Sequence, residues 1–287
     1  STGSYSLPLH GGTFRVEVYP PHGMSTPVQR GVVKFTDKRS RYDFRFHGFR
    51  VTGRVTDPLG VPLESGTVEA LGPDYQNASS PLATGIYSLL LPAGVYRLSA
   101  HDADYWSGYS RQTLSGVSVA SDTTIDIQLG GNPVSGIVTG PDGLPMGDIR
   151  VEAGYIAQNI TRADGSYRLY LPSGDYHIEF HPPYPYYIVT RITDLLTING
   201  PATVNCDLSG VEWKGTVRRV NTGDPAPNVI VSVHQVADEF GRSAAIGSGP
   251  QGEFRFILER YHSYELKTYD GNTGQGAVAF QSLTATA

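Results

Sequence analysis

Short runs with an apolar residue at every second position recur along the whole chain, divided by Gly, Pro and Asp. Tyr87, Leu89 and Leu91 alternate in this way, as do Tyr96 and Leu98, and period two puts each set on one face of a strand. No stretch carries a helical period, and turn signals return every ~8–12 residues, so the pattern predicts an all-β chain of small sandwiches.

One run occurs four times. It reads Gly3-Ser4-Tyr5-Ser6-Leu7-Pro8-Leu9, Gly85-Ile86-Tyr87-Ser88-Leu89-Leu90-Leu91, Gly165-Ser166-Tyr167-Arg168-Leu169-Tyr170-Leu171 and Gly252-Glu253-Phe254-Arg255-Phe256-Ile257-Leu258. The leading glycines are 82, 80 and 87 residues apart, the size of a sandwich domain. A second alternating run follows in the first three copies: Gly12-Thr13-Phe14-Arg15-Val16, Gly94-Val95-Tyr96-Arg97-Leu98 and Gly174-Asp175-Tyr176-His177-Ile178. The pairs predict hairpins, with Pro-Ala-Gly or Pro-Ser-Gly supplying the φ > 0 position of the turn. Upstream, Val51-Thr52-Gly53-Arg54-Val55 is echoed by Val134-Ser135-Gly136-Ile137-Val138 and Trp213-Lys214-Gly215-Thr216-Val217. A closing strand is predicted at Thr124-Ile125-Asp126-Ile127-Gln128-Leu129 and at Thr203-Val204-Asn205-Cys206-Asp207-Leu208. The domain boundaries read 1–48, 49–130, 131–209 and 210–287.

The order Val-x-Gly-x-Val, a Gly-x-Pro turn, a strand, then Asp-Gly-x-Tyr-x-Leu-x-Leu-Pro-x-Gly-x-Tyr resembles the carboxypeptidase regulatory-like, or transthyretin-like, domain. Asp142-Gly143-Leu144-Pro145 and Ala163-Asp164-Gly165-Ser166-Tyr167 carry the likeness best. The resemblance implies a tandem transthyretin-like or Ig-like β-sandwich array, and an accessory or surface role rather than peptidase activity. The Gly-x-Tyr motif is also similar to that of collagen-binding B-type pilus domains, which often carry a Lys–Asn isopeptide link. Here the first strands at 51–56 and 134–139 contain no lysine, so that cross-link is not expected.

Both terminal units read as incomplete. The second run and the end of the closing strand are 30 residues apart from Val16 to Phe46, 31 from Leu98 to Leu129 and 30 from Ile178 to Leu208. Carried from Leu266, the same offset runs past Ala287, so the last unit is expected to lack its closing strand. The first has a closing run, Tyr42-Asp43-Phe44-Arg45-Phe46, but no opening strands. The chain opens on Ser1, as a mature, processed or truncated product does. Two readings of the ends stay open: a segment of a longer array, or a filament subunit completed head-to-tail by strands of other copies. Divergent capping units are a third. Tyr5, Leu7 and Leu9 form the candidate inter-subunit strand, although Pro8 cannot donate to a ladder.

Composition narrows the chemistry. A net charge of −5 argues against nucleic acid, and no run approaches the length of a membrane span. Abundant Gly (34), Pro (20) and Tyr (18) suit short strands and tight turns. Cys206 is the single cysteine, so no intrachain disulfide forms. No Gly-x-Ser-x-Gly, phosphate loop or His-Glu-x-x-His is present, and His262-Ser263-Tyr264-Glu265 falls in an ordinary turn, so no catalytic residues, metal or cofactor are expected. His177, Glu179 and His181 share one strand face, which the apolar positions Tyr176, Ile178 and Phe180 assign to solvent. Aromatic loops holding Tyr105, Trp106 and Tyr109, and Tyr184, Tyr186 and Tyr187, can bind glycans or proteins, or pack against a neighbouring domain. Asn77 and Asn159 head glycosylation-type sequons. Five-residue links between units favour a semi-rigid rod. The function expected from these features is an extracellular structural subunit that polymerises with copies of itself. The alternative is a spacer or binding segment of a larger adhesin or secreted enzyme.

Overall fold

The computed structural model describes residues 5–21, 24–36, 41–73, 77–183, 187–236, 242–270 and 282–285. Every regular element among them is a strand, as the periodicity predicts. Among the described residues no helix is long and apolar enough to cross a membrane. The strands form two compact units, residues 1–104 with 111–129, and residues 105–110 with 130–287.

The first unit contains one complete sandwich. Its antiparallel sheet runs Asn77–Pro81, Gly66–Leu71, Gly94–Asp102, Gln112–Val119. The other layer centres on Phe49–Thr56, which pairs antiparallel with Ile86–Leu91 and parallel with Thr123–Thr124 and Ile127–Gln128. The alternating side chains of both layers, among them Val51, Val55, Leu89, Val68 and Leu98, are fully buried. Each contributes roughly 1.5–3 kcal/mol over an exposed position. Ahead of this sandwich, Gly12–Val18 pairs with Gln29–Phe35 as a two-stranded ribbon. Residues 42–46, expected to close the partial repeat 1–48, form no strand. The described residues of that repeat include no opening strand for them to pair with.

The second unit repeats the plan. Asn132–Thr139 pairs antiparallel with Ser166–Leu171 and parallel with Ala202–Thr203 and Cys206–Asp207. It faces a sheet of Ala157–Ile160, Arg150–Ala153, Glu179–His181 and Arg191–Ile192. In the next repeat one sheet runs Ser243–Gly247, Val229–Gln235, Ser263–Asp270, Ser282–Thr284. Its other layer, among the described residues, is Val211–Thr216 paired with Glu253–Leu258. The segment 277–280, read as a strand from sequence, lies outside the described residues.

The predicted hairpins are not hairpins. Ile86–Leu91 and Gly94–Asp102 belong to opposite sheets, and so do Ser166–Leu171 and Gly174–Tyr176. The chain arches from one layer to the other, which is why both runs turn their apolar face to the same core. Tyr96 Oη donates to the Pro92 carbonyl at 3.0 Å, and Tyr176 Oη to that of Pro172 at 3.0 Å, tying each arch. Gly94 and Gly174 do not have positive φ; the left-handed positions are Gly85 (φ 79°) and Gly165 (φ 71°), one element earlier. A Cβ on Gly94 would lie 3.2 Å from the Tyr96 ring, so the arch glycine makes room for the tyrosine that ties it.

Candidate functional site

The seat of the closing strand is built identically in the two complete repeats. Ile125 N–H donates to Thr52 O and Leu129 N–H to Thr56 O, both at 2.8 Å. Val204 and Leu208 make the same bonds to Ser135 and Thr139 at 2.9 Å. Between them the ladder is interrupted. The Ile125 carbonyl turns to accept from Tyr87 Oη at 2.7 Å, and that of Val204 accepts from Tyr167 Oη at 2.6 Å. The backbone N–H left over, on Arg54 or Ile137, donates instead to a closing-strand side chain, Asp126 Oδ1 at 2.8 Å or Asn205 Oδ1 at 2.9 Å. Gly53 and Gly136 make this possible. A Cβ there would lie 1.8 and 1.9 Å from the turned carbonyls. Burial raises the Tyr87 and Tyr167 hydroxyls far above their ordinary value, so they stay protonated donors.

The last repeat keeps the seat without an occupant among the described residues. Gly215 stands where Gly53 and Gly136 stand, yet the atoms nearest a Cβ on it belong to the Phe254 ring rather than to a turned carbonyl. Phe254 replaces the tyrosine, so the hydroxyl is absent, and Trp213 replaces a fully buried valine. Trp213 packs edge-on to Phe254 at 5.2 Å and stacks with Phe256 at 6.2 Å while staying half-exposed.

The described loops that follow the second run in the first three repeats have a shared task. Tyr170 N–H donates to Gly108 O at 2.8 Å and Ile257 N–H to Tyr187 O at 2.7 Å, both inside the second unit. In the first unit Leu90 N–H donates to Ser25 O at 2.9 Å. Leu90, Tyr170 and Ile257 are equivalent positions, so each loop docks along the free edge of the next repeat. Trp106 O accepts from Asn159 Nδ2 at 2.8 Å, Gln158 Nε2 donates to Tyr105 Oη at 2.6 Å, and the Tyr109 ring lies 5.6 Å from that of Tyr170. Arg255 places its guanidinium 3.8 Å from the Tyr187 ring centre. Trp106, Tyr109 and Tyr187 are thus half-buried packing groups, while Tyr105 stays 64% exposed. Tyr184 and Tyr186 lie outside the described residues. Pro8, equivalent to Leu90, has no N–H to offer such a loop.

The remaining candidates are dispersed. Tyr5, Leu7 and Leu9 are exposed and in no strand. Asn77 is exposed at a strand start, whereas the Asn159 amide nitrogen is the one engaged with Trp106. Glu179 and His181 do turn away from Ile178 and Phe180, but with Glu152 they form a half-buried cluster instead of a solvated face. His181 Nε2 lies 3.0 Å from Glu152 and 3.1 Å from Glu179, and Arg150 lies 3.5 Å from Glu152. Burial, then the Arg150 charge, hold the His181 pKa below its ordinary value against the pull of the two carboxylates. Sequence reading passed over Arg191, which is buried and donates to Val189 O at 2.8 Å and Ser209 O at 2.9 Å beside Glu259 and Arg242. Its single signal was a charge amid the apolar run Tyr187-Ile188-Val189. A groove of ≈ 670 Å³ in the first unit is lined by Met24, Thr26, Leu71, Arg97 and Arg111, with no aromatic ring for a sugar to stack on.

No protein-family model matches the chain, and no curated protein sequence does. Among solved structures it is similar to the Bacillus anthracis TIE protein, with 15% identity over 90% of this chain and 50% of that one, TM-score 0.27. It therefore spans half the length of that protein. The minor pilin of Streptococcus agalactiae gives 16% identity over 56% of this chain and 94% of its own, TM-score 0.31. The major pilin subunit of Bacillus cereus gives 9% over 82% and 94%, TM-score 0.24. At such values these likenesses carry no argument about role or assembly.

Proposed function

We propose that the chain is a structural subunit of an extracellular filament or pilus-like surface appendage, joined head-to-tail to copies of itself by strand complementation. The observation that carries this reading is the Val211–Thr216 edge. Two equivalent strands in the same chain are closed by a parallel partner, and this one has none among the described residues. An open edge with an apolar face beneath it favours addition of a strand. The docked loops support a load-bearing role, because they join consecutive repeats through backbone bonds as well as through the chain itself. In this reading the protein performs no catalysis, and its partners are other copies.

Negative-stain microscopy and sedimentation of the purified chain test the proposal. Fibres, or species that grow with concentration, are expected. A closing strand supplied in cis, by appending a copy of residues 203–208 through a flexible linker, is expected to return monomers. Monodisperse monomers of the parent chain at every concentration would instead favour a spacer or binding segment of a larger adhesin or secreted enzyme.

A further inference from the structure

The open edge in the last repeat has a counterpart in the first. Residues 42–46 read Tyr-Asp-Phe-Arg-Phe, the same order of apolar, Asp or Asn, apolar, polar, apolar found at 125–129 and 204–208. The likeness extends to the structure. Tyr5 is equivalent to Tyr87 and Tyr167, and its hydroxyl donates to the Tyr42 carbonyl at 2.6 Å, the homologue of the two turned-carbonyl bonds. Yet residues 42–46 pair with no strand. Tyr42 is 44% exposed, and Asp43, whose equivalents hold a backbone N–H, is held at the surface by Arg41 Nε at 2.9 Å. Among the described residues, 42–46 thus carry the pattern of a closing strand with no first strand beside them, and Val211–Thr216 is a first strand with no closing strand beside it.

We propose that residues 42–46 of one chain add as a parallel strand to the Val211–Thr216 edge of a second copy. The inference rests on the strand-complementation reading and names its donor and register. The internal repeats set the register: Ile125 falls opposite Gly53, so Tyr42 falls opposite Gly215, Asp43 opposite Thr216 and Arg45 opposite Arg218. Tyr42 N–H then donates to Lys214 O, Phe46 N–H to Arg218 O, and Thr216 N–H to the Asp43 carboxylate, which sits between Lys214 and Arg218. Phe44 and Phe46 take the places of Ile127 and Leu129, which are 2% and 0% exposed. The seat offers one bond fewer than its models, because Phe254 has no hydroxyl for the turned carbonyl, and Arg45 beside Arg218 is an unfavourable pair. Residues 5–9 are the poorer donor: they lack the Asp or Asn that the Thr216 N–H requires, and their equivalents at 87–91 pair antiparallel with the opposite edge of the first strand.

Disulfide trapping between two full-length variants tests this. Arg45→Cys in one chain and Arg218→Cys in another bring two thiols to facing positions, within the Cα separation a disulfide needs. The native Cys206 stays out of the reaction, because burial pushes its thiol up to about 12. Mixing the two under mild oxidation is expected to give covalent heterodimers. Asp43→Ala in the donor chain is expected to lower their yield about tenfold, and so is an excess of the cysteine-free peptide 123–130. Arg45→Cys with Glu212→Cys, six residues out of register, is expected to give little product. Equal yields from the two pairings would overturn the assignment as random collision. If no heterodimer forms while the unmodified chain sediments as assemblies, residues 42–46 are not the donor, although complementation by another segment stands. Absence of both heterodimer and assembly removes the donor and the filament reading together.

Discussion

At the residue scale, the seat of the closing strand depends on a few atoms. Removing the hydroxyl in Tyr87→Phe leaves the Ile125 carbonyl without its donor and is expected to cost about 1–2 kcal/mol in urea unfolding. Gly53→Ala places a methyl 1.8 Å from that carbonyl, and a loss of about 3 kcal/mol or more is expected. If both variants cost the same few tenths, the carbonyl does not depend on this site. His181 sets a pH dependence. Its folded pKa lies below 6.5, so the unfolded chain takes up a proton that the folded chain refuses. Stability is therefore full above the unfolded value and declines as pH falls below about 6.5 toward the folded one. Thermal melts from pH 8 to 5 are expected to show that decline in the parent and a shallower one in His181→Gln. Equal slopes would place the titration in another group.

At the element scale, strands and their inward faces were legible, because alternation depends only on which side chains meet the core. Their partners were not. Tyr87-Leu89-Leu91 and Tyr96-Leu98 look the same whether the second run folds back beside the first or crosses to the other sheet, so an arch was taken for a hairpin. Parallel pairing of 123–128 with 51–56 was equally hidden, since 72 residues separate the partners and no local signal joins them. Asp126 and Asn205 occupy polar positions in an alternating strand, and their capping bonds left no mark in the pattern. The aromatic loops carried two meanings in the sequence, and the bonds from Tyr170 and Ile257 show packing for Trp106, Tyr109 and Tyr187. Gly108→Val separates the meanings further, because its side chain would enter 2.2 Å from Arg168 O at a left-handed φ of 80°. The melting temperature is expected to fall by about 4 °C or more, at ~2–4 °C per kcal/mol for a unit of this size. Retention on a glycan array is expected not to change. Lost retention at an unchanged melting temperature would give the loop a recognition role instead.

At the scale of the whole molecule, a constant offset of 30–31 residues led to the expectation of a last repeat without its closing strand, and among the described residues Val211–Thr216 has no parallel partner. The offset could not say which edge a closing strand uses, since that requires knowing that closing strands pair parallel with first strands. The donor proposed above was obscured for a related reason. Residues 5–9 drew attention as an alternating run, whereas both closing strands in the complete repeats carry an Asp or Asn that caps an N–H on the neighbouring strand.

The docked loops also order events in time. Each loop is made before the strand that receives it: Gly108 emerges about 60 residues ahead of Tyr170. At roughly 5–20 residues per second, Trp106 and Tyr109 wait about 3–12 s on a growing chain with nothing to cover them. The repeat that carries Trp106 and Tyr109 thus covers them only when the strand at 166–171 has been made. A chain halted soon after residue 130 keeps these rings uncovered permanently, which makes that product more prone to aggregate than the 287-residue chain.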